Sequence, residues 1–330
     1  MKAWLVDFGG GVESLRSVVV PRPVPAAGQV LVQVEAVSLN QRELSVLEGR
    51  YPLPVQDTLI PVCDGVGTIV EVGAGVPSNA VGARVVGAVF PEWFDGPFSL
   101  DRSAQLGGSR NGMLAEYVCL DAAAAVPIPK TIPVIQAACL PCAGVTAWHA
   151  LHIGLSLRPG DTVLTTTSGG VSAYTTQLAK ALGYRVIVAT GTASRSAELT
   201  NLGADHVLTG RVRSPDVLEL TDSRGADRTI HIYGDINQSI ASTSVGAAVI
   251  LVSPAGSAAI DPLLAFTRNV GIHPVSLGGV HHTRALVDFV ATHGIRVPIA
   301  ACHPFEQSRA AYTQYIEQRP FGKVIIRVHG

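Results

Sequence analysis

Residues 163–172 read Val-Leu-Thr-Thr-Thr-Ser-Gly-Gly-Val-Ser, an apolar strand pattern that runs into a glycine pair. A helix is predicted to follow, from Ala173 to Leu182. The N-terminus of a helix presents unpaired backbone N–H groups, and glycine lets a pyrophosphate approach them closely. The turn therefore predicts a dinucleotide site, although a Thr at position 167 replaces the first glycine of the usual fingerprint.

The next predicted strand, residues 185–190, bears on which dinucleotide the chain prefers. NAD-preferring enzymes carry an acidic residue at the carboxyl end of this strand, where it binds the ribose 2′-hydroxyl. Here no acid follows, and the turn instead carries three hydroxyls and a guanidinium: Thr190, Thr192, Ser194 and Arg195. A 2′-phosphate needs hydrogen-bond donors and positive charge, which Arg supplies together. The turn predicts NADPH rather than NADH; the alternative is that Arg195 is a solvated surface charge.

Apolar runs continue to alternate with helical or loop stretches along the middle of the chain, at residues 206–208, 228–233, 248–253 and 271–277. Such alternation predicts an α/β fold with a parallel, doubly wound Rossmann sheet. Before residue 128 the chain has short β-runs between frequent turns, at residues 30–37, 67–72, 83–86 and 115–119, which predicts an irregular β-barrel. The last part is predicted to hold helices near 283–292 and 307–318 and a strand at 323–328.

Composition narrows the functional classes. The 330 residues suffice for two domains, and 47% hydrophobic with 15% charged residues is typical of a well-packed globular protein. A net charge of -1 gives no basic surface for nucleic acid or for an anionic membrane. No signal-like or membrane-length apolar segment is evident, so the expected location is cytoplasmic. Five scattered cysteines favour reduced thiols over a disulfide framework.

Motifs over nearly the whole length resemble the medium-chain dehydrogenase/reductase superfamily, in its zinc-free branch of quinone oxidoreductases and alcohol dehydrogenase-like proteins. The resemblance is carried by Met1-Lys-Ala3, Ala36-Val-Ser-Leu-Asn40, Asp64-Gly-Val-Gly-Thr-Ile-Val-Glu-Val-Gly73, Val81-Gly-Ala-Arg-Val85, Gly112-Met-Leu-Ala-Glu-Tyr117, Leu140-Pro-Cys-Ala-Gly-Val-Thr-Ala-Trp148, Gly203-Ala-Asp-His206 and Phe321-Gly-Lys-Val324. It implies a GroES-like catalytic domain at residues 1–128 and 277–330, with a Rossmann NAD(P)-binding domain inserted at 129–276.

The resemblance also implies which residues contact the cofactor. Besides the turn after residue 190, these are Thr146 beside the nicotinamide, Ser168, Gly169, Gly170 and Val171 at the pyrophosphate, and Tyr233, Ser253, Pro254, Ser276 and Lys323 around the rest of the site. For catalysis it implies that Asn40 donates to a substrate oxygen and that Tyr51 lines the cleft. The alternatives are that Asn40 caps a helix near Gln41 and that Tyr51 packs in a turn.

Both metals of zinc-dependent relatives are predicted absent. Their catalytic ligands, Cys, His and Cys, match Asn40, Asp64 and Cys142 here, and one thiolate with one carboxylate falls short of three protein donors. Asp64 is expected to be structural and to hold neighbouring backbone amides or the Arg42 side chain; the alternative is that it relays a proton. Their four-cysteine structural lobe is expected near residues 90–110, where this chain has no cysteine. Adjacent His281 and His282 do not have a helical ligand spacing.

The expected activity follows from the missing Lewis acid. Hydride transfer from NADPH without zinc suits quinones, α,β-unsaturated carbonyls and related activated carbonyls, because hydrogen bonds or conjugation can meet the developing charge. The alternative is a superfamily member without hydride transfer, acting as an NADPH-binding sensor or a non-redox biosynthetic protein. A small-molecule substrate and a homodimer are expected. Cys139-Leu-Pro-Cys142 is interpreted as packed rather than as a redox pair, which remains the alternative.

Overall fold

The structure is a computed structural model that describes residues 1–253, 256 and 259–329. Two compact units are present: Met1–Val145 together with the chain from Gly278 onward, and Thr146–Leu277. The two ends of the chain thus form one unit, here called the terminal unit, and the middle forms the Rossmann unit. The first boundary follows Val145 rather than residue 128, because helix Val134–Ala137 packs on strands of the terminal unit.

Short strands and tight turns build the first part of the terminal unit. Its elements are β1 (Lys2–Asp7), β2 (Arg16–Val19), β3 (Gln29–Ser38), α1 (Gln41–Leu47), β4 (Thr58–Leu59), β5 (Asp64–Val72), β6 (Arg84–Gly87), β7 (Tyr117–Asp121), β8 (Ala125–Pro127) and α2 (Val134–Ala137), and α3 (Val145–His152) begins at its edge. Gly73 ends β5 where only glycine fits, since a Cβ there would lie 1.8 Å from the backbone oxygen of Ala26.

The Rossmann unit consists of β9 (Thr162–Thr165), α4 (Gly170–Ala181), β10 (Arg185–Thr190), α5 (Ser196–Asn201), β11 (His206–Thr209), α6 (Ser214–Leu220), β12 (Ala226–His231), α7 (Ile236–Ser242), β13 (Thr243–Leu251), α8 (Pro262–Thr267) and β14 (Gly271–Pro274). Its six strands are all parallel, in the order β11-β10-β9-β12-β13-β14. This is the 3-2-1-4-5-6 order of the dinucleotide-binding fold, which confirms the predicted Rossmann sheet.

The C-terminal part completes the terminal unit with α9 (Val280–His293), β15 (Ile299–Pro304), α10 (Ser308–Gln318) and β16 (Lys323–Arg327). A seven-stranded sheet runs β15-β16-β3-β5-β6-β8, with β7 on β3, and a smaller sheet runs β2-β1-β4. The antiparallel pairing of β16 with β3 brings Lys323 to the end of β3, where Asn40 begins α1. The predicted β-rich, GroES-like unit is confirmed.

Residues 90–102, where zinc relatives carry a cysteine lobe, are held by aromatic packing. The rings of Phe90, Trp93 and Phe98 meet edge to face at centroid distances of 5.2–6.2 Å, and the Trp93 indole donates to the oxygen of Gly96. Such edge-to-face contacts contribute to stability beyond the apolar area that they bury. Across the described residues, no helix has the length and apolar character that crossing a bilayer requires.

Candidate functional site

The predicted cofactor residues of the Rossmann unit lie after the carboxyl ends of its parallel strands. Ser168 follows β9, Thr190 ends β10, Tyr233 follows β12, Ser253 follows β13 and Ser276 follows β14. Because all six strands are parallel, these ends share one edge of the sheet, where open α/β folds bind their ligands. Thr146 is buried in α3, at the start of the unit, and the predicted residue Pro254 lies outside the described residues.

Three of the predicted side chains are joined by hydrogen bonds across the ends of β9 and β10. The Ser168 and Thr190 hydroxyls lie 2.9 Å apart, and Arg195 Nη1 donates to Ser168 Oγ over 3.3 Å. Thr192 is exposed beside them, and its backbone N–H donates to Thr190 Oγ1. Ser194 is also exposed, on the same short turn as Arg195. The guanidinium and hydroxyls predicted to read a 2′-phosphate therefore lie together.

Each hydroxyl of the unusual turn after β9 has a partner, which explains how the chain accommodates Thr at position 167. Thr165 and Thr167 reach Ser172 on α4 at 2.7 and 3.0 Å. Thr166 turns the other way and accepts the N–H groups of Ile232 and Tyr233, at 3.0 and 3.3 Å. The turn is thereby tied to both α4 and the end of β12.

The helix α4 begins at Gly170 with no side chain capping its first turn. Its N-cap residue, Gly169, is exposed and has φ −85° and ψ −168°, and a Cβ built there would meet no atom within 4 Å. Open space above uncapped N–H groups at a helix start is what an anion such as a pyrophosphate requires. Val171 follows in the first turn, half-buried.

In the terminal unit, a buried cluster joins Asn40, Asp64 and Lys323. Lys323 donates to the Leu39 oxygen at 2.8 Å and to Asn40 Oδ1, and its ammonium lies 3.5 Å from Asp64 Oδ2. Burial raises the pKa of Asp64 to about 6, although Lys323 and Asn40 act to lower it, so the carboxylate is ionised at neutral pH. Burial acts to lower the pKa of Lys323, but Asp64, Cys139, Tyr315 and Cys142 together act to raise it by more, so the net pKa is raised.

The amide of Asn40 is fully used inside this cluster. Its two hydrogens are donated to Asp64 Oδ2 at 2.7 Å and to the Ser38 oxygen at 3.3 Å, and its oxygen accepts from Lys323. Asn40 is also the N-cap residue of α1, with its backbone N–H donating to Glu43 Oε2 at 2.8 Å. Donation to a substrate oxygen, the role predicted for Asn40, would therefore require one of these bonds to break.

Lys323 was predicted at the cofactor, and the structure places its ammonium on other groups. It is 3% exposed and donates to Leu39 and Asn40 within the terminal unit. Two of the three N–H groups of the ammonium are donated to these acceptors, and the group lies beside the Asp64 carboxylate. In this position Lys323 balances the negative charge of Asp64.

The structure corrects the predicted count of metal donors. Within the described residues, the ligand atoms of Cys63, Asp64 and Cys142 lie within 4.8 Å of one another, so two thiols and a carboxylate meet where the sequence predicted one thiol and one carboxylate. Cys63 was not predicted as a ligand because the histidine ligand of zinc-dependent relatives matches its neighbour, Asp64. Val62 precedes Cys63 with φ 71°, a strained conformation for a β-branched residue, and Cys63 itself is fully buried.

Three donors match a catalytic zinc site in number, but their state does not fit one. Both oxygens of Asp64 are bonded, Oδ1 to the Cys142 N–H at 2.7 Å and Oδ2 to Asn40, and the Lys323 ammonium adjoins them. The pKa of the Cys63 thiol is raised well above its usual range. Burial is the main cause, and the hydrogen bond with Cys142 and the negative charge of Glu43 act in the same direction. A dication would have to displace these bonds next to an existing positive charge.

A second part of the buried cluster centres on Arg42, which the sequence suggested as a partner of Asp64 and which instead lies beside Glu43 and Tyr51. Arg42 is buried, donates to Glu43 Oε1 at 3.3 Å, and has its guanidinium carbon 4.6 Å from the centroid of the Tyr51 ring. Tyr51, predicted to line the cleft, is half-buried, and burial raises its pKa. The phenol therefore keeps its proton through the neutral range. The sequence feature that could have indicated this pair is a basic residue followed by an acidic one in the first turn of α1.

Cys139 is packed, in agreement with the interpretation preferred from sequence. Its Sγ donates to the Ile135 oxygen at 3.1 Å, and burial raises its pKa to about 12. A reactive thiol needs the opposite, an exposed site that lowers its pKa.

Comparisons with known proteins agree with this architecture. Residues 26–130 match the alcohol dehydrogenase GroES-like domain, and residues 170–292 match the zinc-binding dehydrogenase family. A zinc-type alcohol dehydrogenase-like protein of Schizosaccharomyces pombe is 33% identical over 316 residues, covering 91% of each chain. A chloroplast envelope quinone oxidoreductase homolog of Arabidopsis thaliana is 28% identical over 335 residues, covering 97% of this chain and 96% of the relative.

Two solved structures with similar folds are associated with different dinucleotides. An NAD-dependent alcohol dehydrogenase is 28% identical with a TM-score of 0.87, covering 99% of this chain and 100% of the other. A mycobacterial protein complexed with NADPH is 26% identical with a TM-score of 0.82, at the same coverage. The choice between NAD and NADP must therefore be argued from the residues of this chain.

Proposed function

The chain belongs to the medium-chain dehydrogenase/reductase superfamily, and we propose that it is an NADPH-dependent, zinc-independent reductase of a quinone, an α,β-unsaturated carbonyl or a related activated carbonyl. One observation carries the proposal. Arg195, Ser168 and Thr190 are hydrogen-bonded together at the ends of β9 and β10, where an NAD-preferring enzyme places an acid.

The acceptor class follows from the donors of the terminal unit. When bound, NADPH supplies the hydride. Addition of a hydride to the carbon of a conjugated acceptor moves an electron pair onto its oxygen, which then needs a hydrogen-bond donor and a proton. Tyr51 offers a phenol that burial keeps protonated, whereas the amide of Asn40 is already committed to Asp64 and Ser38. Simple alcohols, whose oxidation needs a strong Lewis acid, are disfavoured.

The cofactor assignment is tested by the Arg195→Ala variant, with NADPH and NADH titrated by fluorescence. Loss of a charge-assisted bond to the 2′-phosphate should weaken NADPH by about tenfold or more and leave NADH nearly unchanged. Arg213→Ala is the matched control, because Arg213 is an exposed arginine of the same unit. An equal loss for both dinucleotides, or a stronger affinity of the wild-type protein for NADH, would contradict the assignment.

Zinc independence is tested by metal analysis of protein purified in the presence of zinc. The saturated Asp64 and the adjacent Lys323 predict far less than one zinc per chain, and NADPH oxidation that survives dialysis against a chelator. Stoichiometric zinc that disappears in Cys63→Ser would overturn this part of the proposal.

A homodimer is also proposed, through the β14 edge of the Rossmann sheet. Support comes from large apolar side chains exposed near that edge, Val245 at 69%, Leu263 at 68% and Phe266 at 83%. Exposed apolar groups gathered in one region are typical of association surfaces. Light scattering should give twice the chain mass for the wild type and a monomer for Phe266→Asp; a monomeric wild type would refute it.

A further inference from the structure

Arg42 carries two buried nitrogen donors with no hydrogen-bond partner, Nε and Nη2. Among the residues that the structure describes, no other side chain has two such atoms. The two belong to the same edge of the planar guanidinium, because Nη1 is the nitrogen cis to Cδ and the Nε–H points away from it, toward Nη2. The unfilled donors therefore form a complete two-pronged edge, the one with which arginine grips a planar pair of oxygens.

The rest of the guanidinium is held in place. Nη1 donates to Glu43 Oε1 and to the Gly107 oxygen, both at 3.3 Å, and the face of the group lies over the Tyr51 ring. These contacts come from three different segments of the terminal unit and fix the plane of the guanidinium. The direction of the free edge is fixed with it.

The negative charge that Arg42 faces is shared with other donors. Glu43 accepts the Asn40 N–H on Oε2 and the Cys63 N–H on Oε1, the same oxygen that Arg42 reaches. Lys323, the other buried cation of the cluster, is instead held by two hydrogen-bond acceptors and lies beside the Asp64 carboxylate. Of the two buried cations in the cluster, Arg42 is the one whose Nε and Nη2 donors have no hydrogen-bond acceptor.

An acceptor is required at this edge, since buried charged donors are costly to leave unpaired. The Arg42 side chain is 7% exposed, so bulk water does not solvate it. A carboxylate matches the edge in three respects: its two oxygens are coplanar, their spacing suits parallel N–H donors, and its charge is opposite.

We propose that the Nε/Nη2 edge of Arg42 binds a carboxylate group of the substrate, so that the enzyme favours activated carbonyl compounds that carry an acid. The identification of this ligand as a substrate rests on the proposed function. Tyr51 stacks on the guanidinium, is half-buried, and its phenol interacts with the Arg42 charge, so it is the group with which a bound carboxylate would compete.

The kinetic test uses two acceptors with the same enone: 6-oxo-4-heptenoate, whose carboxylate is separated from the C=C by two methylene groups, and its methyl ester, which lacks the charge. The wild-type protein should have a kcat/KM higher by about tenfold or more for the acid. Arg42→Lys keeps the charge but loses the two-pronged edge, and it should lower kcat/KM for the acid about tenfold more than for the ester. Equal losses on the two acceptors, or a wild type that favours the ester, would overturn the proposal.

Arg84→Lys is the matched control. Arg84 lies in the same unit and also has a buried, unpartnered Nε, while its Nη1 donates to the Ile132 oxygen at 3.5 Å. It therefore reports the general effect of shortening a partly satisfied arginine. The ratio of acid to ester should stay at the wild-type value in this variant; a ratio that falls as far as in Arg42→Lys would refute the assignment to Arg42.

A binding measurement separates this inference from the proposed activity. Levulinate, a saturated keto acid, cannot accept a conjugate hydride and is titrated calorimetrically into the full-length protein. Saturable binding, weakened about tenfold in Arg42→Lys but not in Arg84→Lys, is expected. If it occurs and no acceptor oxidises NADPH, the carboxylate site stands and the proposed reductase activity falls.

The reverse outcome is equally decisive. If neutral enones oxidise NADPH while levulinate does not bind to the wild type, the edge of Arg42 holds buried water only and the carboxylate site is refuted. If Arg42→Lys does not fold, the acid-to-ester ratio and levulinate binding of the wild type still decide, since both are measured without the variant.

Discussion

Replacing Gly169 with alanine should separate the cofactor role of this turn from its role in folding. The backbone at Gly169 has φ −85° and ψ −168°, a conformation that any residue adopts, and an added Cβ would meet no atom within 4 Å. Alanine has fewer conformations to lose on folding, which favours the variant by about 0.4–1 kcal/mol, but it is a poorer N-cap residue than glycine. The two effects oppose each other, so stability should change by less than about 1 kcal/mol. Thermal unfolding of the free protein measures this directly.

Binding of NADPH should respond in the opposite direction. The proposed pyrophosphate lies against the uncapped N–H groups at the start of α4, and the new methyl group would fill part of that space. Loss of one charge-assisted hydrogen bond costs about 1.5–3 kcal/mol, which corresponds to roughly 10- to 150-fold weaker binding. NADH should lose as much as NADPH, because the two share the pyrophosphate.

The companion variant is Gly191→Ala, the other described glycine with open space and without a positive φ. It has the same effect on the unfolded chain but lies after β10, beside the turn assigned to the 2′-phosphate. Fluorescence titrations of both dinucleotides into both variants complete the comparison. Wild-type affinity in Gly169→Ala, with its stability retained, would refute the placement of the pyrophosphate above α4.

Three further variants test what stabilises the two units, each by its melting temperature against wild type. Arg228→Met should lower the free energy of unfolding by at least about 3 kcal/mol. The buried guanidinium donates to three backbone carbonyls at and after the end of α3, which the variant leaves without a donor. An unchanged melting temperature would show that water replaces the guanidinium as the donor. Lys323→Met should lose about 3–5 kcal/mol, because Asp64 is left buried without its cation, and adding Asp64→Asn should recover part of the loss; strictly additive losses would contradict the pairing. Gly73→Ala should lose about 1–3 kcal/mol, because its Cβ would overlap the Ala26 oxygen; a wild-type melting temperature would mean that the backbone there shifts freely.

Sequence patterns predicted the Rossmann unit well because each of its elements is specified locally. Strand β10 was predicted with its observed bounds, and β11 was predicted to within one residue. Strand β13 begins at Thr243, five residues before the predicted run. Its first residues are polar or small and so carry no apolar pattern, yet they extend along β12 through a shift in register. Tertiary pairing, rather than local composition, sets that boundary.

The terminal unit was harder to predict where distant segments meet. Strand β15 was not predicted, since its alternation of half-buried and exposed residues is weak without β16 beside it. The position of Lys323 depends on the pairing of β16 with β3, two strands that are far apart in the sequence. Cys63 was overlooked for a more local reason: consecutive residues of a regular strand face opposite sides, yet Cys63 and Asp64, at the start of β5, both reach the cluster.

The charges of the buried cluster bear on the proposed metal-independent chemistry. Asp64 and Glu43 are matched in number by Lys323 and Arg42, so the resting cluster is close to neutral. Further negative charge, on a ligand or on a reacting oxygen, can be compensated only by donors that are still unpaired. Asn40 and Lys323 have committed theirs, whereas the Nε/Nη2 edge of Arg42 has no hydrogen-bond partner and the Tyr51 ring lies against the same guanidinium. A Tyr51→Phe variant that turned over the acid acceptor at the wild-type rate would therefore place the whole burden of charge on Arg42, and a large loss would show that both donors act on the substrate.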